Sequence, residues 1–217
     1  MKNNTQSKDF LEFEIMLPSS LVEMQRKGGI PSLDLVNEWQ DNYERRLFIN
    51  SDIDESILEY VGYYIEKWNR EDSDLKINKE DRVPIKIMIN TNGGNLDETL
   101  YICDLIELSE TPIYTIGQAK IYSGGGFILM SGHKRFCYKH SNFLYHSGGF
   151  GTQGDVRAVM DTVDFIKKGE ISVREFVLSK TKIGEEVYDK NYSKQWYMDS
   201  QEMLDYGIID EIVTKFI

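Results

Sequence analysis

The sequence lacks a membrane-spanning segment, a cysteine framework and an excess of basic charge. It contains no stretch of 18 or more apolar residues, which predicts that the chain does not cross a membrane. The two cysteines present, Cys103 and Cys137, lie among apolar residues, which favours buried free thiols in a reducing cytoplasm over a disulfide. The formal net charge of −11 argues against a nucleic-acid partner, because phosphate binding needs clustered Lys and Arg.

Motifs for metals, nucleotides and repeats are also missing. The chain has no zinc-type Cys/His spacing, no GxxxxGK[ST] phosphate loop and no internal repeat. We therefore expect no metal and no cofactor in this chain. The polar residues 1–14 have no apolar signal-peptide core and are predicted to be a flexible tail. The remaining residues, 15–217, are enough for one domain with a sizeable core.

Short apolar runs alternate with helical patterns along the chain. Strands are predicted at 45–53, 84–90, 111–119, 134–139, 142–149 and 208–216. Helices are predicted at 54–71, 96–109, 126–132, 155–181 and 200–207. This alternation predicts an α/β fold of βαβ units with a largely parallel sheet. In such sheets, reactive groups collect where strands turn into helices.

One serine precedes three glycines at such a turn, in "IYSGGGFILM", residues 121–130. At a strand-to-helix corner, the hydroxyl of Ser123 lies at a helix N-terminus, whose N–H groups point toward developing negative charge. Serine needs a base to act as a nucleophile. Of the three histidines, His133 and His140 are expected in turns, whereas His146 ends an apolar strand. Each residue alone is more often structural than catalytic, so the pair is suggestive only.

Five segments follow one another in the order and spacing of a known family. They are "MINTNGGNL", "YTIGQAKIYSGGGFILMSGHKRF", "HSNFLYHSGG", "GTQGD" and "MDSQEMLDYGIIDEI". Together they resemble the proteolytic subunit of the Clp protease, ClpP. The resemblance implies a ClpP/crotonase-type fold of stacked βαβ units with a protruding handle helix at about 155–181. It also implies that Ser123 is the nucleophile, that His146 is the base, and that the amides of Gly94 and Gly124 form the oxyanion hole.

The third catalytic position departs from the family pattern. Where the family has an aspartate just before an aromatic residue, this chain has "NYSKQWYMDS", and an ungapped match places Gln195 there. A glutamine carbonyl can accept from Nδ1–H of His146, but it has no charge to stabilise the imidazolium. The neighbours Asp189, Asn191 and Asp199 are alternatives, although Asp199 is expected to cap the next helix.

The resemblance implies a serine endopeptidase that cleaves unfolded polypeptide inside a ring-shaped chamber. The expected assembly is a homo-oligomer of heptameric rings stacked as a tetradecamer, served by an AAA+ unfoldase that alone uses ATP. The neutral Gln195 leaves open weak or conditional activity, full activity through a neighbouring acid, or a catalytically inactive ring subunit. A crotonase-type acyl-CoA enzyme is a further alternative, because it shares the fold and the amide-lined hole.

Overall fold

The computed structural model describes residue 37 and residues 40–215. The chain divides into two units, Met1–Arg46 and Leu47–Ile217, and the candidate site lies in the second. The predicted tail over 1–14 lies outside the described residues, so the boundary between it and a domain over 15–217 stays a prediction.

Within the described residues, seven strands form one mainly parallel sheet. They are β1 (Arg46–Ile49), β2 (Ile85–Thr91), β3 (Ile113–Tyr122), β4 (Lys134–Cys137), β5 (Asn142–Tyr145), β6 (Trp196–Met198) and β7 (Glu211–Ile212). Their order is β1-β2-β3-β4-β7, and β5 pairs with the distal part of β3 and with β6. β6 runs antiparallel to β5, whereas β2, β4 and β5 are each parallel to β3. The predicted α/β fold with a largely parallel sheet is confirmed.

The helices follow the strands in the expected alternation. They are α1 (Tyr63–Asp74), α2 (Leu96–Leu108), α3 (Gly124–Ser131), α4 (Val156–Lys180), α5 (Glu185–Asn191) and α6 (Ser200–Asp205). Side-chain caps fix several of their first turns: Asn95 Oδ1 accepts from the amide of Asp97 at 3.1 Å. Asp199 forms a capping box with Glu202, as its expected capping role requires.

The strands predicted at 45–53, 142–149 and 208–216 are shorter in the structure, and the strand predicted at 111–119 continues to Tyr122. Two further regions differ from the sequence-based prediction. The helix predicted at 54–71 is a π-helical segment, Leu58–Gly62, followed by α1, which continues to Asp74. Its start shifts because the side chain of Asp54 accepts from the amide of Ser56 at 2.9 Å and makes a turn there. Helix α5 and strand β6 were not predicted, because elements of seven and three residues are too short to show a period.

The main core lies between the sheet and its helices, and isoleucine dominates it. Ile87 and Ile89 of β2 and Ile102 and Ile106 of α2 are fully buried. Cys103 and Cys137 are buried free thiols, as predicted. Burial raises the pKa of Cys103 to about 12 and that of Cys137 to about 11.

Helix α4 is long and largely uncovered. Of its 25 residues, only Val177 is buried within the described chain. Several large apolar side chains along it are exposed: Val156, Met160, Phe165 and Ile171. The helix spans nearly the predicted 155–181, and its role as a handle stays a prediction. Neither α4 nor any other described helix is long and apolar enough to cross a membrane.

Candidate active site

Ser123 forms the corner between β3 and α3. Its backbone has φ 52° and ψ −122°, a region that costs a non-glycine residue about 1–3 kcal/mol and persists only where neighbours enforce it. One such neighbour is β5, because the amide of Ser123 donates to the carbonyl of Leu144 at 2.8 Å. The side chain is half-buried. The predicted strand-to-helix corner is therefore present, and it is held in a strained conformation.

The glycines after this corner bring α3 close to its neighbours. A Cβ on the first, second or third of Gly124–Gly126 would come within 2.4, 2.5 and 2.5 Å of atoms of Thr99, Thr91 and Phe143, respectively. Because real Cβ atoms do not approach so closely, larger residues would push the start of α3 away from the sheet. The three glycines thus fix where the helix begins beneath the serine.

A second turn, Gly93–Gly94, lies against the serine. The hydroxyl of Thr91 accepts from the amide of Gly93 at 3.0 Å and donates to the carbonyl of Ser51 at 2.6 Å. Gly93 has φ 97°, and a Cβ built on it would lie 2.6 Å from Cβ of Ser123. The turn therefore lies so close to the corner that no side chain fits between them.

The two amides predicted for the oxyanion hole belong to these two turns. Ile53 donates to the carbonyl of Gly93 and accepts from the amide of Asn95, both at 2.8 Å, and these bonds do not use the amide of Gly94. Gly124 is the first residue of α3, so its N–H has no partner within the helix. Both amides thus lie beside the corner, and their catalytic role stays a prediction.

His146 follows the last residue of β5. In the parallel pairing of β3 and β5, Tyr122 is opposite Leu144, so Ser123 and His146 both follow the ends of neighbouring strands. The imidazole is half-buried, and its Nδ1 accepts from the amide of Gly148 at 3.3 Å. An Nδ1 that accepts leaves the ring proton of a neutral imidazole on Nε2.

Gln195 directly precedes β6, the strand that pairs with β5, and so lies beside His146. The antiparallel register pairs Tyr145 with Trp196, so the next position outward places His146 opposite Gln195. The Gln195 side chain is exposed, and its Oε1 accepts from the hydroxyl of Tyr197 at 3.1 Å. Within residues 40–215, no hydrogen bond joins the three predicted triad side chains to one another. The register supports the placement of Gln195, and its role stays a prediction.

The three neighbours considered as substitutes for Gln195 are bound elsewhere. Arg174 donates to both carboxylate oxygens of Asp189, at 2.9 and 3.1 Å, and this hydrogen bonding lowers the pKa of that carboxyl. Asn191 donates to the carbonyl of Val187 at 2.8 Å. Asp199 accepts from two amides of α6, each at 2.9 Å. None of these contacts is with His146.

Three contacts of the site were not anticipated from the sequence: those of Thr91, Gly148 and Tyr197. The amide of Gly148 carries no side-chain signal, so no pattern indicates it. The contact of Tyr197 has a signal in the sequence, because residues two apart on a strand share a face and Tyr197 is two residues from Gln195.

The chain is similar in sequence and in fold to known proteins. The family model described as Clp protease matches residues 42–216. The ATP-dependent Clp protease proteolytic subunit 2 of Bifidobacterium longum is 34% identical over 142 residues, which are 63% of this chain and 67% of that protein. Its counterpart in Thermobifida fusca is 27% identical over 178 residues, which are 79% and 82% of the two chains. A solved structure of a ClpP1 mutant from Listeria monocytogenes has a TM-score of 0.65 at 20% identity, covering 81% of this chain and 95% of that one, which shows a shared fold.

Proposed function

Because the chain belongs to the Clp protease family, we propose that it is a serine-type endopeptidase subunit that cleaves unfolded polypeptide by acyl transfer. The observation that carries the proposal is the strained corner at Ser123, with Gly124 directly after it and the Gly93–Gly94 turn against it. Such a corner exposes a nucleophile at a helix N-terminus, where amide groups can bind an oxyanion. The curated relatives named above are proteolytic subunits, which agrees with this chemistry.

In the proposed mechanism, Ser123 attacks the scissile carbonyl carbon and His146 Nε2 takes the hydroxyl proton. The amides of Gly94 and Gly124 donate to the resulting oxyanion. His146 then returns the proton to the leaving amine, and a water molecule hydrolyses the acyl-enzyme by the same steps in reverse order. For Nε2 to act as the base, His146 must exchange its contact with the amide of Gly148 for one in which Gln195 accepts from Nδ1–H and so holds the base in the required tautomer.

The neutral third residue predicts that the site is weaker than one with an aspartate. A carboxylate would stabilise the imidazolium that forms as Ser123 loses its proton, and Gln195 cannot. Arg174 binds one of the two carboxylates that the sequence offered as a replacement, Asp189, and the other, Asp199, caps α6. Since His146 Nδ1 accepts from Gly148 in this structure, a catalytically inactive ring subunit is the second candidate.

The subunit is proposed to act in the cytoplasm as part of a homo-oligomer of heptameric rings, stacked as a tetradecamer. The exposed apolar side chains of α4 supply a surface that such stacking would cover. The relatives are named as subunits of an ATP-dependent protease, which agrees with an AAA+ unfoldase partner that consumes the ATP. The proposal includes no metal, and the described residues contain no group of three His, Cys, Asp or Glu able to hold one.

Labelling with a fluorophosphonate probe tests the peptidase proposal, because an activated serine attacks the phosphorus of the probe, forms a phosphonate ester and releases fluoride. We expect the wild-type chain to be labelled at Ser123 and the Ser123→Ala variant to remain unlabelled. Ser172→Ala, which removes an exposed hydroxyl from α4, is the matched control and should label like the wild type. Absence of labelling in the assembled wild-type protein would favour the inactive ring subunit. A label found on another residue would refute the assignment of the nucleophile.

A further inference from the structure

Tyr197 links the third predicted triad residue to the strand that carries the nucleophile. Its hydroxyl donates to Oε1 of Gln195 at 3.1 Å. Its ring packs edge-on against the ring of Tyr122, with centroids 6.1 Å apart and an interplanar angle of 85°. Tyr122 is the residue immediately before Ser123. The hydroxyl is therefore held at a defined place on the face that Gln195 shares with His146.

A glutamine at the third position can turn either end of its carboxamide toward His146, and only one of those ends is an acceptor. A carboxylate presents two acceptor oxygens, whereas a carboxamide presents one acceptor end and one donor end. Only an acceptor facing Nδ1 of His146 keeps the ring proton there and leaves Nε2 free to receive the proton of Ser123. A donor facing Nδ1 fixes the opposite tautomer, as the amide of Gly148 does at 3.3 Å.

We propose that Tyr197 is a positioning residue that resolves this ambiguity. By donating to Oε1, the hydroxyl holds the oxygen end of the Gln195 carboxamide on the side of His146. A carbonyl oxygen has two lone pairs, so the same Oε1 can accept from Tyr197 and, once His146 leaves its contact with the amide of Gly148, from Nδ1–H of His146 as well. The inference rests on the proposed peptidase function. It extends the catalytic hydrogen-bond chain, the relay, from Ser123, His146 and Gln195 to Tyr197, which orients Gln195 and exchanges no proton.

A double-mutant cycle separates this role from a purely structural one. The four proteins are the wild type, Tyr197→Phe, Gln195→Glu and the double variant, each studied as the assembled full chain. Glu at position 195 has acceptors at both ends, so it does not need Tyr197 to orient it. The measurements are the rate of Ser123 labelling by a fluorophosphonate and kcat and KM on a fluorogenic peptide.

We expect Tyr197→Phe to slow labelling and lower kcat by about tenfold when residue 195 is Gln, which is the loss of one hydrogen bond, with KM unchanged. In the Gln195→Glu background, Tyr197→Phe should change the labelling rate and kcat by less than about twofold. Tyr192→Phe is the matched control, because it removes a hydroxyl from an exposed tyrosine beside α5, and it should leave both rates unchanged.

Each other outcome overturns the inference. Equal losses in the two backgrounds would mean that Tyr197 acts only on packing. A faster Tyr197→Phe variant would mean that the hydroxyl holds the oxygen away from His146. If the wild type labels at Ser123 and Tyr197→Phe matches it, the inference fails while the proposed function stands. If no protein of the cycle labels at all, the proposed function fails, and the relay fails with it.

Discussion

Replacing Gly93 with alanine tests the contact between the two turns of the site. The new Cβ would lie 2.6 Å from Cβ of Ser123 and 2.8 Å from the carbonyl oxygen of Tyr122, whereas carbon atoms in contact prefer about 3.5–4.0 Å. Gly93 also has φ 97°, which a side chain disfavours by about 1–2 kcal/mol. Adding about 1–3 kcal/mol for overpacking, we expect Gly93→Ala to lower the free energy of unfolding by about 2–5 kcal/mol.

Urea denaturation at one fixed protein concentration measures this loss, and fluorophosphonate labelling measures the displacement of Ser123. Gly169→Ala is the matched control, because nothing lies within 4 Å of a Cβ at that position of α4. In a helix interior this change should stabilise by about 0.5–1 kcal/mol and leave labelling unchanged. A Gly93→Ala protein as stable as the wild type and labelled at the same rate would refute the proposed contact between the turns.

Three further predictions concern the triad, the assembly and the thiols. Gln195→Asp should raise kcat/KM for peptide hydrolysis by up to roughly 10³–10⁴-fold, because it supplies the missing charge. Asp189→Ala should leave kcat/KM unchanged. An inactive Asp189→Ala enzyme would show that Gln195 is wrongly assigned as the third catalytic residue. Light scattering should give a mass far above 25.2 kDa. Phe165→Glu on the exposed face of α4 should lower that mass, and the charge control Lys190→Glu, on the exposed side of α5, should not. Because burial raises the pKa of Cys103 and Cys137, both thiols should resist iodoacetamide at about pH 8 in the native protein and react with it in urea. The free energy of unfolding should fall as the pH rises above 9.0, because the thiols then ionise in the unfolded chain and not in the folded one.

The parts of the site that depend on local sequence were predictable. A serine before glycines at the end of an apolar run specifies the Ser123 corner, and Asn95 and Asp199 cap the helices that directly follow them. These features involve residues within a few positions of one another, where turn and cap chemistry acts. The alternation of strands and helices indicated a largely parallel sheet, and the order of the motifs indicated the ClpP-type fold through the family resemblance.

The parts that depend on distant pairing were not predictable. Arg174 binds Asp189 across 15 positions of sequence, and Tyr145 shares a buried hydrogen bond with Tyr188 across 43. Neither pair leaves a periodic or turn signal in the sequence. Gln195 was matched to the third catalytic position through the family resemblance alone, because the three-residue strand β6 carries too little pattern to specify the register that places it opposite His146.

The crowding around Gly124–Gly126 has a consequence for how this site can change through mutation. An added methyl group at any of these positions meets atoms of Thr99, Thr91 or Phe143, so variants there are expected to be lost from a randomised library. In the segment after His146, Gly149 and Gly151 have nothing within 4 Å of an added Cβ, whereas Gly148 has φ 70°, which strains any side chain. Libraries that seek a new cleavage preference therefore have room in the segment after His146 and almost none at the nucleophile.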